Sequence, residues 1–293
     1  MYIDGVFSGG GIKGYSLIGA YQVLEEKGYV IQRCAGTSAG SIIAALILAG
    51  YTGKEMEQLF LDLDIEKLLD QRVVSNIPLV KWLVLYKKLG LYKGNKFEQW
   101  MADKLQAKGV TTFSDLPKGS LRVIVSDVTN GTITVIPDDL WKYNLEMETF
   151  SVAKAIRMSC SVPYFFEPVN LNNHKEPVYI VDGGVLSNFP MWLFDQENVK
   201  KVRPVIGVKL SGNKDDIPSR KIENAIGMFS ALFEAMKDAH DNRYISRKHE
   251  KNIIFINNEE ASLLEIDMTQ EKRKKLIQKG RSEAQQFLRS WTY

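Results

Sequence analysis

Apolar residues in this chain fall into short runs that alternate with segments of helical periodicity. Residues 2–8 and 29–35 are apolar runs of strand length. Residues 14–27 follow the first run and carry apolar side chains three or four positions apart, while residues 39–49 follow the second and are apolar on every side. The first fifty residues therefore predict two successive strand–turn–helix units.

The same alternation continues to the end of the chain. Further strands are predicted at 121–128, 132–136, 178–181, 205–210 and 253–256, and further helices at 222–236 and 270–291. Strands alternating with helices predict an α/β fold with a mostly parallel sheet covered on both faces. No repeat or linker interrupts the pattern, so we expect a single domain over residues 1–293.

Composition narrows the class of protein. The 293 residues are 45% hydrophobic and 25% charged, as in a globular protein with a substantial core, and the net charge of +3 is too small to indicate a nucleic-acid partner. The two cysteines, Cys34 and Cys160, lack metal-site spacing. The chain begins with no signal-peptide pattern, and no apolar stretch reaches the ~18 residues of a spanning helix. We therefore expect a cytoplasmic protein, for which any membrane contact would be made from the surface.

Two glycine motifs lie at the predicted strand-to-helix turns. Gly9, Gly11 and Gly14 match the dinucleotide fingerprint G-x-G-x-x-G. That fingerprint needs an acidic residue about 20 positions later to bind a ribose hydroxyl, and the second strand, residues 29–35, contains neither Asp nor Glu. The sequence therefore disfavours a nicotinamide or flavin cofactor.

The second motif, Gly-Thr-Ser-Ala-Gly at residues 36–40, has the pattern of a nucleophile elbow. Gly36 and Gly40 flank Ser38 because a nucleophile at a sharp turn needs small neighbours. Ser38 would then stand at a helix N-terminus, whose dipole favours developing negative charge. An ordinary glycine–serine helix cap is the alternative.

The first glycine motif suits an oxyanion hole. Consecutive glycines let backbone N–H groups approach a substrate oxygen without obstruction by side chains. The loop comprises Gly9, Gly10, Gly11, Ile12 and Lys13, the last of which could add positive charge. We predict that this loop stabilises the oxyanion formed when Ser38 attacks an ester.

A conventional triad would need a histidine, and the chain has three. His174 lies in a polar turn, and His240 and His249 lie in or after a charged helical segment. Asp182 is the better partner for Ser38, because it directly follows a predicted strand and precedes Gly183 and Gly184. A Ser38–Asp182 dyad is predicted, with a plain Asp-Gly turn as the alternative.

Taken together, residues 9–14, 36–40 and 182–184 resemble the motifs of the patatin-like phospholipase family in type, order and approximate spacing. Residues 159–163, Ser-Cys-Ser-Val-Pro, and the continuation through Asn188 and Pro190 support the resemblance, which runs from about residue 2 to residue 190. The chain departs from the family at Met158 and Ser161, where alanines are frequent. This departure bears on pocket size.

The resemblance implies a three-layer α/β/α sandwich with lipid acyl hydrolase activity. It assigns Ser38 as nucleophile, Asp182 as base and the glycine loop as oxyanion hole. The implied reaction passes through an acyl-enzyme at Ser38 and needs no metal and no organic cofactor. Its substrate would be a phospholipid or another lipid acyl ester. Head group, acyl position, chain length and oligomeric state stay open.

An insertion-like helical region, about residues 55–110, is expected to cap the site. Its most apolar part, residues 78–89, combines Trp82, Tyr86 and lysines, which suits an interfacial helix or a core helix. The predicted C-terminal helix opens with the basic run 272–275, a solvated face or a contact for anionic lipid.

Two other functions stay open at this stage. An α/β-hydrolase esterase would use Ser38, Asp182 and either His240 or His249 in an acceptable order, although that fold normally reaches its elbow after more than two strands. A non-catalytic lipid-binding protein would keep the pocket without turnover, and the intact serine and aspartate argue against it.

Overall fold

The computed structural model describes residues 1–70, 85–173, 176–194, 202–210, 250–257 and 267–292, with residues 222, 228, 231–233, 235–236 and 241. The three histidines, most of the helix predicted at 222–236, and residues 78–84 of the apolar segment lie outside the described residues.

The strands and helices alternate as the apolar pattern predicts. The strands are β1 (Tyr2–Phe7), β2 (Val30–Thr37), β3 (Gly90–Tyr92), β4 (Leu121–Asp127), β5 (Thr132–Ile136), β6 (Tyr164–Phe166), β7 (Val169–Asn173), β8 (Glu176–Asp182), β9 (Val205–Lys209) and β10 (Ile253–Phe255). The helices are α1 (Tyr15–Glu26), α2 (Ala39–Leu48), α3 (Gly53–Leu61), α4 (Ile65–Leu68), α5 (Asn95–Gln106), α6 (Val152–Ser159) and α7 (Gln270–Ser290). Each strand predicted from the sequence is present.

An eight-stranded sheet forms the centre of the molecule. Its order is β10-β9-β1-β2-β4-β8-β7, and β5 pairs with β4. The five strands from β10 to β4 are parallel, whereas β5 and β8 run antiparallel to β4 and β7 runs antiparallel to β8. The parallel part confirms the predicted α/β class, and the antiparallel direction of β8 is a feature that the apolar pattern did not reveal.

Helices complete a three-layer α/β/α sandwich around the sheet. Helix α2 packs on β1, β2 and β4, and α1 packs on α3 and α7. The crossing of α1 and α7 is close because each contributes a glycine: a Cβ at Gly19 would collide with the carbonyl of Ile277, and one at Gly280 with the carbonyl of Ser16. Helices α1 and α7 are therefore in direct backbone contact where they cross.

The region predicted as a cap contains α3, α4, β3 and α5 among its described residues. Strand β3 pairs with β6 in a small separate sheet. The carboxylate of Asp70 accepts the N–H groups of Gly94 and Asn95 at 2.6 and 2.9 Å, which satisfies donors at the start of α5. No helix in the described part of the chain has the length and apolar character needed to cross a bilayer.

Candidate active site

Ser38 occupies a strained turn between β2 and α2. Its φ of 51° and ψ of −125° are unusual for a residue with a side chain, and its exposure is only 6%. The flanking glycines have no room for a Cβ, since one at Gly36 would collide with the carbonyl of Gly40 and one at Gly40 with that of Phe7. The turn therefore has the tight geometry of a nucleophile elbow.

Hydrogen bonds fix the backbone of Ser38. Its N–H donates to Oγ of Ser159 at 2.8 Å, and that hydroxyl donates to the carbonyl of Ile124 at 2.6 Å. The hydroxyl of Ser41 donates to the carbonyl of Ser38 at 2.6 Å. Ser159 is the last residue of α6, so the resemblance motif at 159–163 contacts the elbow directly.

The glycine loop packs against this elbow. A Cβ built on Gly9 would lie 3.0 Å from Cβ of Ser38, and one built on Gly14 would lie 2.8 Å from Cβ of Ala39. The loop is also tied to the segment after Asp182, because the N–H of Gly9 donates to the carbonyl of Asn188 at 3.2 Å.

The backbone amides of the loop differ in what they bind. Those of Gly9 and Lys13 are engaged, the first with the carbonyl of Asn188 and the second with that of Gly10 at 3.1 Å. The amides of Gly10, Gly11 and Ile12 form no hydrogen bond with another described residue. Among the described residues these three N–H groups therefore remain available to bind a group from outside the loop.

Asp182 ends β8 opposite the middle of β4, where it pairs with Val125. Its N–H donates to the carbonyl of Ser161 at 2.9 Å, and its Oδ1 accepts the N–H of Gly184 at 2.7 Å. A Cβ at Gly183 would lie 2.9 Å from Cγ2 of Thr37, next to the elbow. Strands β2 and β8 thus reach this place from opposite directions on either side of β4, rather than as neighbouring parallel strands.

Cys160 lies near both members of the predicted dyad. Burial raises the pKa of its thiol, and the carboxylate of Asp182 raises it further, while Ser41, Arg157 and Ser38 act in the opposite direction. The thiol is therefore neutral. Both Ser38 and Asp182 are close enough to Cys160 to shift its pKa.

An apolar pocket of about 180 Å³ opens beside Ser38. Its walls come from the glycine loop, α2, the α3–α4 region, α5 and the segment 160–166; they are Gly11, Ile12, Gly14, Tyr15, Ser38, Ala39, Ile42, Ile43, Phe60, Leu63, Ile65, Leu68, Leu69, Phe97, Trp100, Cys160, Val162, Phe165 and Phe166. Met158 and Ser161, the two departures from the family pattern, are buried but are not among the lining residues. The lining suits a hydrocarbon chain.

A buried ion pair between Asp241 and Lys209 lies beside the segment that follows Asp182. Asp241 accepts the N–H of Phe189 at 3.0 Å and the side-chain amide of Asn188 at 3.4 Å, and it lies 3.2 Å from Nζ of Lys209. The side chains of Asp241 and Lys209 are 1% and 5% exposed. Sequence reasoning missed both residues, since neither lies in a motif. Among the described residues no cluster of His, Cys, Asp and Glu is arranged to hold a metal ion.

Comparison with known proteins gives the class of this protein. A family model described as patatin-like phospholipase matches residues 5–195, which span the glycine loop, the elbow and Asp182. The protein is a hydrolase. The chain belongs to the patatin-like phospholipase family.

Individual relatives agree with this assignment. The chain is 54% identical over 295 residues to the uncharacterized protein YqhO of Bacillus subtilis, with 100% of both chains covered. It is 26% identical over 210 residues to the probable lipid hydrolase 463L of Invertebrate iridescent virus 6, covering 69% of this chain and 68% of that protein.

Solved structures share the fold. VipD from Legionella pneumophila has a TM-score of 0.60 at 20% identity, covering 99% of this chain and 67% of VipD. The type III effector ExoU has a TM-score of 0.55 at 16% identity, covering 98% of this chain and 52% of ExoU. At these identities the likeness describes the fold alone.

Proposed function

We propose that this protein is a serine lipid acyl hydrolase of the phospholipase A type, with Ser38 as nucleophile and Asp182 as base. One observation carries the proposal: the strained turn at Ser38 opens onto a pocket lined by apolar side chains, and the glycine loop packs against that turn. An ester of a long acyl chain fits both features.

In the first half of the reaction Ser38 Oγ attacks the carbonyl carbon of the ester, and its proton passes to the Asp182 carboxylate. The oxyanion accepts hydrogen bonds from the N–H groups of Gly10, Gly11 and Ile12. When the tetrahedral intermediate collapses, the bond to the leaving oxygen breaks and Asp182 returns the proton to it. The products are an acyl-enzyme and a lysolipid alcohol.

In the second half, water replaces the alcohol. Asp182 accepts a proton from water as its oxygen attacks the acyl carbonyl, and the proton then returns to Ser38 Oγ when the acyl–serine bond breaks. A free fatty acid leaves. The acyl chain occupies the apolar pocket throughout, and the protein acts in the cytoplasm at the surface of a membrane that presents the lipid.

The decisive experiment compares the wild type with Ser38→Ala and Asp182→Asn on mixed phospholipid vesicles, with free fatty acid and lysolipid followed by mass spectrometry. We expect release by the wild type, loss of at least about 10³-fold in both variants, and full activity in the control Ser120→Ala, a buried serine outside the site. Release by Ser38→Ala at the wild-type rate would exclude Ser38 as nucleophile.

Two further variants separate the dyad from a triad. His240→Ala and His249→Ala are expected to keep activity, and loss of activity in either one would favour a Ser-Asp-His mechanism. Covalent labelling by a fluorophosphonate should occur in the wild type and disappear in Ser38→Ala. A folded wild type that resists labelling would instead support a lipid-binding protein without turnover.

A further inference from the structure

Two bulky apolar residues adopt left-handed backbone where the small β3–β6 sheet begins. Leu89 has a φ of 60° and Tyr164 a φ of 65°, which large side chains rarely adopt. Gly90, the residue after Leu89, pairs with Tyr164 across the two strands. Strained backbone of this kind persists where the surrounding structure imposes it, and it is concentrated at functional sites.

The side chains at and near these two positions are exposed. Leu89 is 42% exposed, Tyr164 is 54% exposed, and Tyr86, one helical turn before Leu89, is 84% exposed. The turn is closed by the N–H of Leu89 donating to the carbonyl of Leu85 at 2.9 Å. We call Tyr86, Leu89 and Tyr164 the β3–β6 patch.

The stretch of chain that carries Tyr86 and Leu89 is rich in lysine. Residues 85–97 contain four lysines and no acidic residue, and all four lysines are exposed: Lys87, Lys88, Lys93 and Lys96. The neighbouring carboxylates are Asp70, which accepts the N–H groups of Gly94 and Asn95, Glu98, which follows the stretch, and Glu167, which follows β6. Residues 85–97 themselves are therefore basic.

The patch adjoins the pocket-lining segment 162–166 in the chain. Val162, Phe165 and Phe166 line the pocket, and Tyr164 stands between them in sequence with its side chain in solvent. The exposed ring of Tyr164 is therefore flanked in sequence by residues of the pocket wall.

We propose that the β3–β6 patch and its lysines dock this protein on an anionic lipid surface, with the pocket opening toward the bilayer. Exposed aromatic and aliphatic side chains among lysines are the composition of interfacial segments, in which the rings enter the head-group region and lysines bind anionic lipid. A second copy of this chain fits less well, because a two-fold contact would bring the two sets of four lysines together. This docking role rests on the proposed function, because its purpose is to deliver lipid to Ser38.

The test measures binding without turnover. In a Ser38→Ala background, flotation with phosphatidylglycerol vesicles and with phosphatidylcholine vesicles is compared for two sets of changes. The first replaces the patch by Tyr86→Ser, Leu89→Asn and Tyr164→Asn, where asparagine tolerates left-handed backbone and so protects folding. The second is Lys87→Glu with Lys88→Glu.

Matched controls lie at the opposite end of the sheet. Tyr2, 62% exposed at the start of β1, and the exposed Lys27 offer the same residue types away from the glycine loop. Tyr2→Ser with Lys27→Glu should leave vesicle binding unchanged. Circular dichroism and the melting temperature confirm that each variant is folded.

We expect the background protein to bind phosphatidylglycerol vesicles more tightly than phosphatidylcholine vesicles, with affinity falling as salt rises. Each lost lysine should weaken binding by about fivefold, and the patch variant should weaken binding to both vesicles. Equal binding by the patch variant, the lysine variant and the control would overturn the proposal, as would a concentration-dependent dimer that the patch variant abolishes.

The docking proposal and the hydrolase proposal can fail independently of each other. If Ser38→Ala binds through the patch but the wild type releases no fatty acid, docking stands and the hydrolase proposal fails. If the wild type cleaves vesicle lipid and the patch variant with Ser38 intact cleaves it equally fast, docking fails and the hydrolase stands. In an active protein the patch variant should also hydrolyse a soluble short-chain ester at the wild-type rate.

Discussion

The backbone N–H of Ser38 donates a hydrogen bond at 2.8 Å to the hydroxyl of Ser159, which lies 121 positions later in the chain. Ser159 is fully buried, and its own hydroxyl donates a hydrogen bond to the carbonyl of Ile124. The strained elbow is thus held by a side chain from another helix rather than by its own turn. Ser159 is a positioning residue for the proposed nucleophile.

Replacing Ser159 with alanine removes this support. The variant leaves a buried N–H without its acceptor, which costs about 1–3 kcal/mol, and it lets Ser38 relax from the strained conformation. We expect kcat to fall about 10- to 100-fold with little change in KM, measured on a soluble ester.

Ser120→Ala is the matched control, because the Ser120 hydroxyl is buried and has no hydrogen-bond partner among the described residues. It should be neutral in kcat and neutral or slightly stabilising in unfolding. An equal loss of kcat in both variants would show that the effect does not come from the elbow.

Asp241→Asn should weaken both the fold and the activity. The change removes the negative charge from the buried pair with Lys209, and breaking a buried ion pair costs up to about 3–5 kcal/mol of unfolding free energy. It also loosens the Asn188 segment, whose carbonyl accepts the N–H of Gly9. Denaturant unfolding and steady-state kinetics measure the two effects.

The double change Lys209→Met with Asp241→Leu separates them. Removing both charges should restore much of the stability, whereas kcat should stay low because the contacts to Asn188 and Phe189 are still absent. Lys67→Gln breaks a surface pair with Asp64, whose side chains are 82% and 48% exposed, and should leave the free energy of unfolding nearly unchanged. Full recovery of kcat in the double variant would contradict a positioning role for Asp241.

Filling the pocket should change which acyl chain is accepted. Ile42 lines the pocket one helical turn after Ser38, and Ile42→Trp would occupy the space of an acyl chain. We expect kcat/KM for a decanoyl ester to fall about tenfold or more relative to an acetyl ester. Leu48→Trp, on the same helix but outside the pocket lining, should leave that ratio unchanged.

Alkaline pH should destabilise the fold through Tyr143. Burial raises its pKa to about 12, and its hydrogen bond to Asp127 raises it as well, while the one with Thr134 lowers it. The phenol of the unfolded chain ionises near pH 10. The stabilisation that Tyr143 gives to the fold is therefore fully present below about pH 10 and is lost as the pH rises to about 12.

Tyr143→Phe tests the titration. The variant should be about 1–2 kcal/mol less stable at neutral pH through the lost hydrogen bonds, and its stability should fall less steeply between pH 10 and 12. Urea unfolding at a series of pH values measures this difference. An unchanged slope would assign the alkaline loss to other groups.

The sequence predicts what is decided locally. The first two strand–turn–helix units follow from apolar period and glycine spacing alone, because each turn is formed by residues within a few positions of one another. Ser38, the glycine loop and the strand before Asp182 are found in this way, and the observed bounds of β1, β2, α1 and α2 agree within a few residues.

What the sequence does not predict depends on distant residues. The antiparallel direction of β8 is set by its pairing with β4, and an apolar run has the same pattern in either direction. The pairing of Lys209 with Asp241 leaves no periodic signal, since ordinary charged residues become buried only through tertiary contacts. The predicted oxyanion loop runs from Gly9 to Lys13, and only the position of Asn188 reveals that the N–H of Gly9 donates to its carbonyl.

The close crossing of α1 and α7 bears on how the protein is made in the cell. Helix α1 directly follows the glycine loop and leaves the ribosome well before α7. Until residues 270–290 emerge, the face of α1 that receives them stays uncovered, and until residues 205–209 emerge, β1 lacks its neighbour β9. A nascent chain that stops before residue 270 therefore lacks part of the packing around the glycine loop and Ser38.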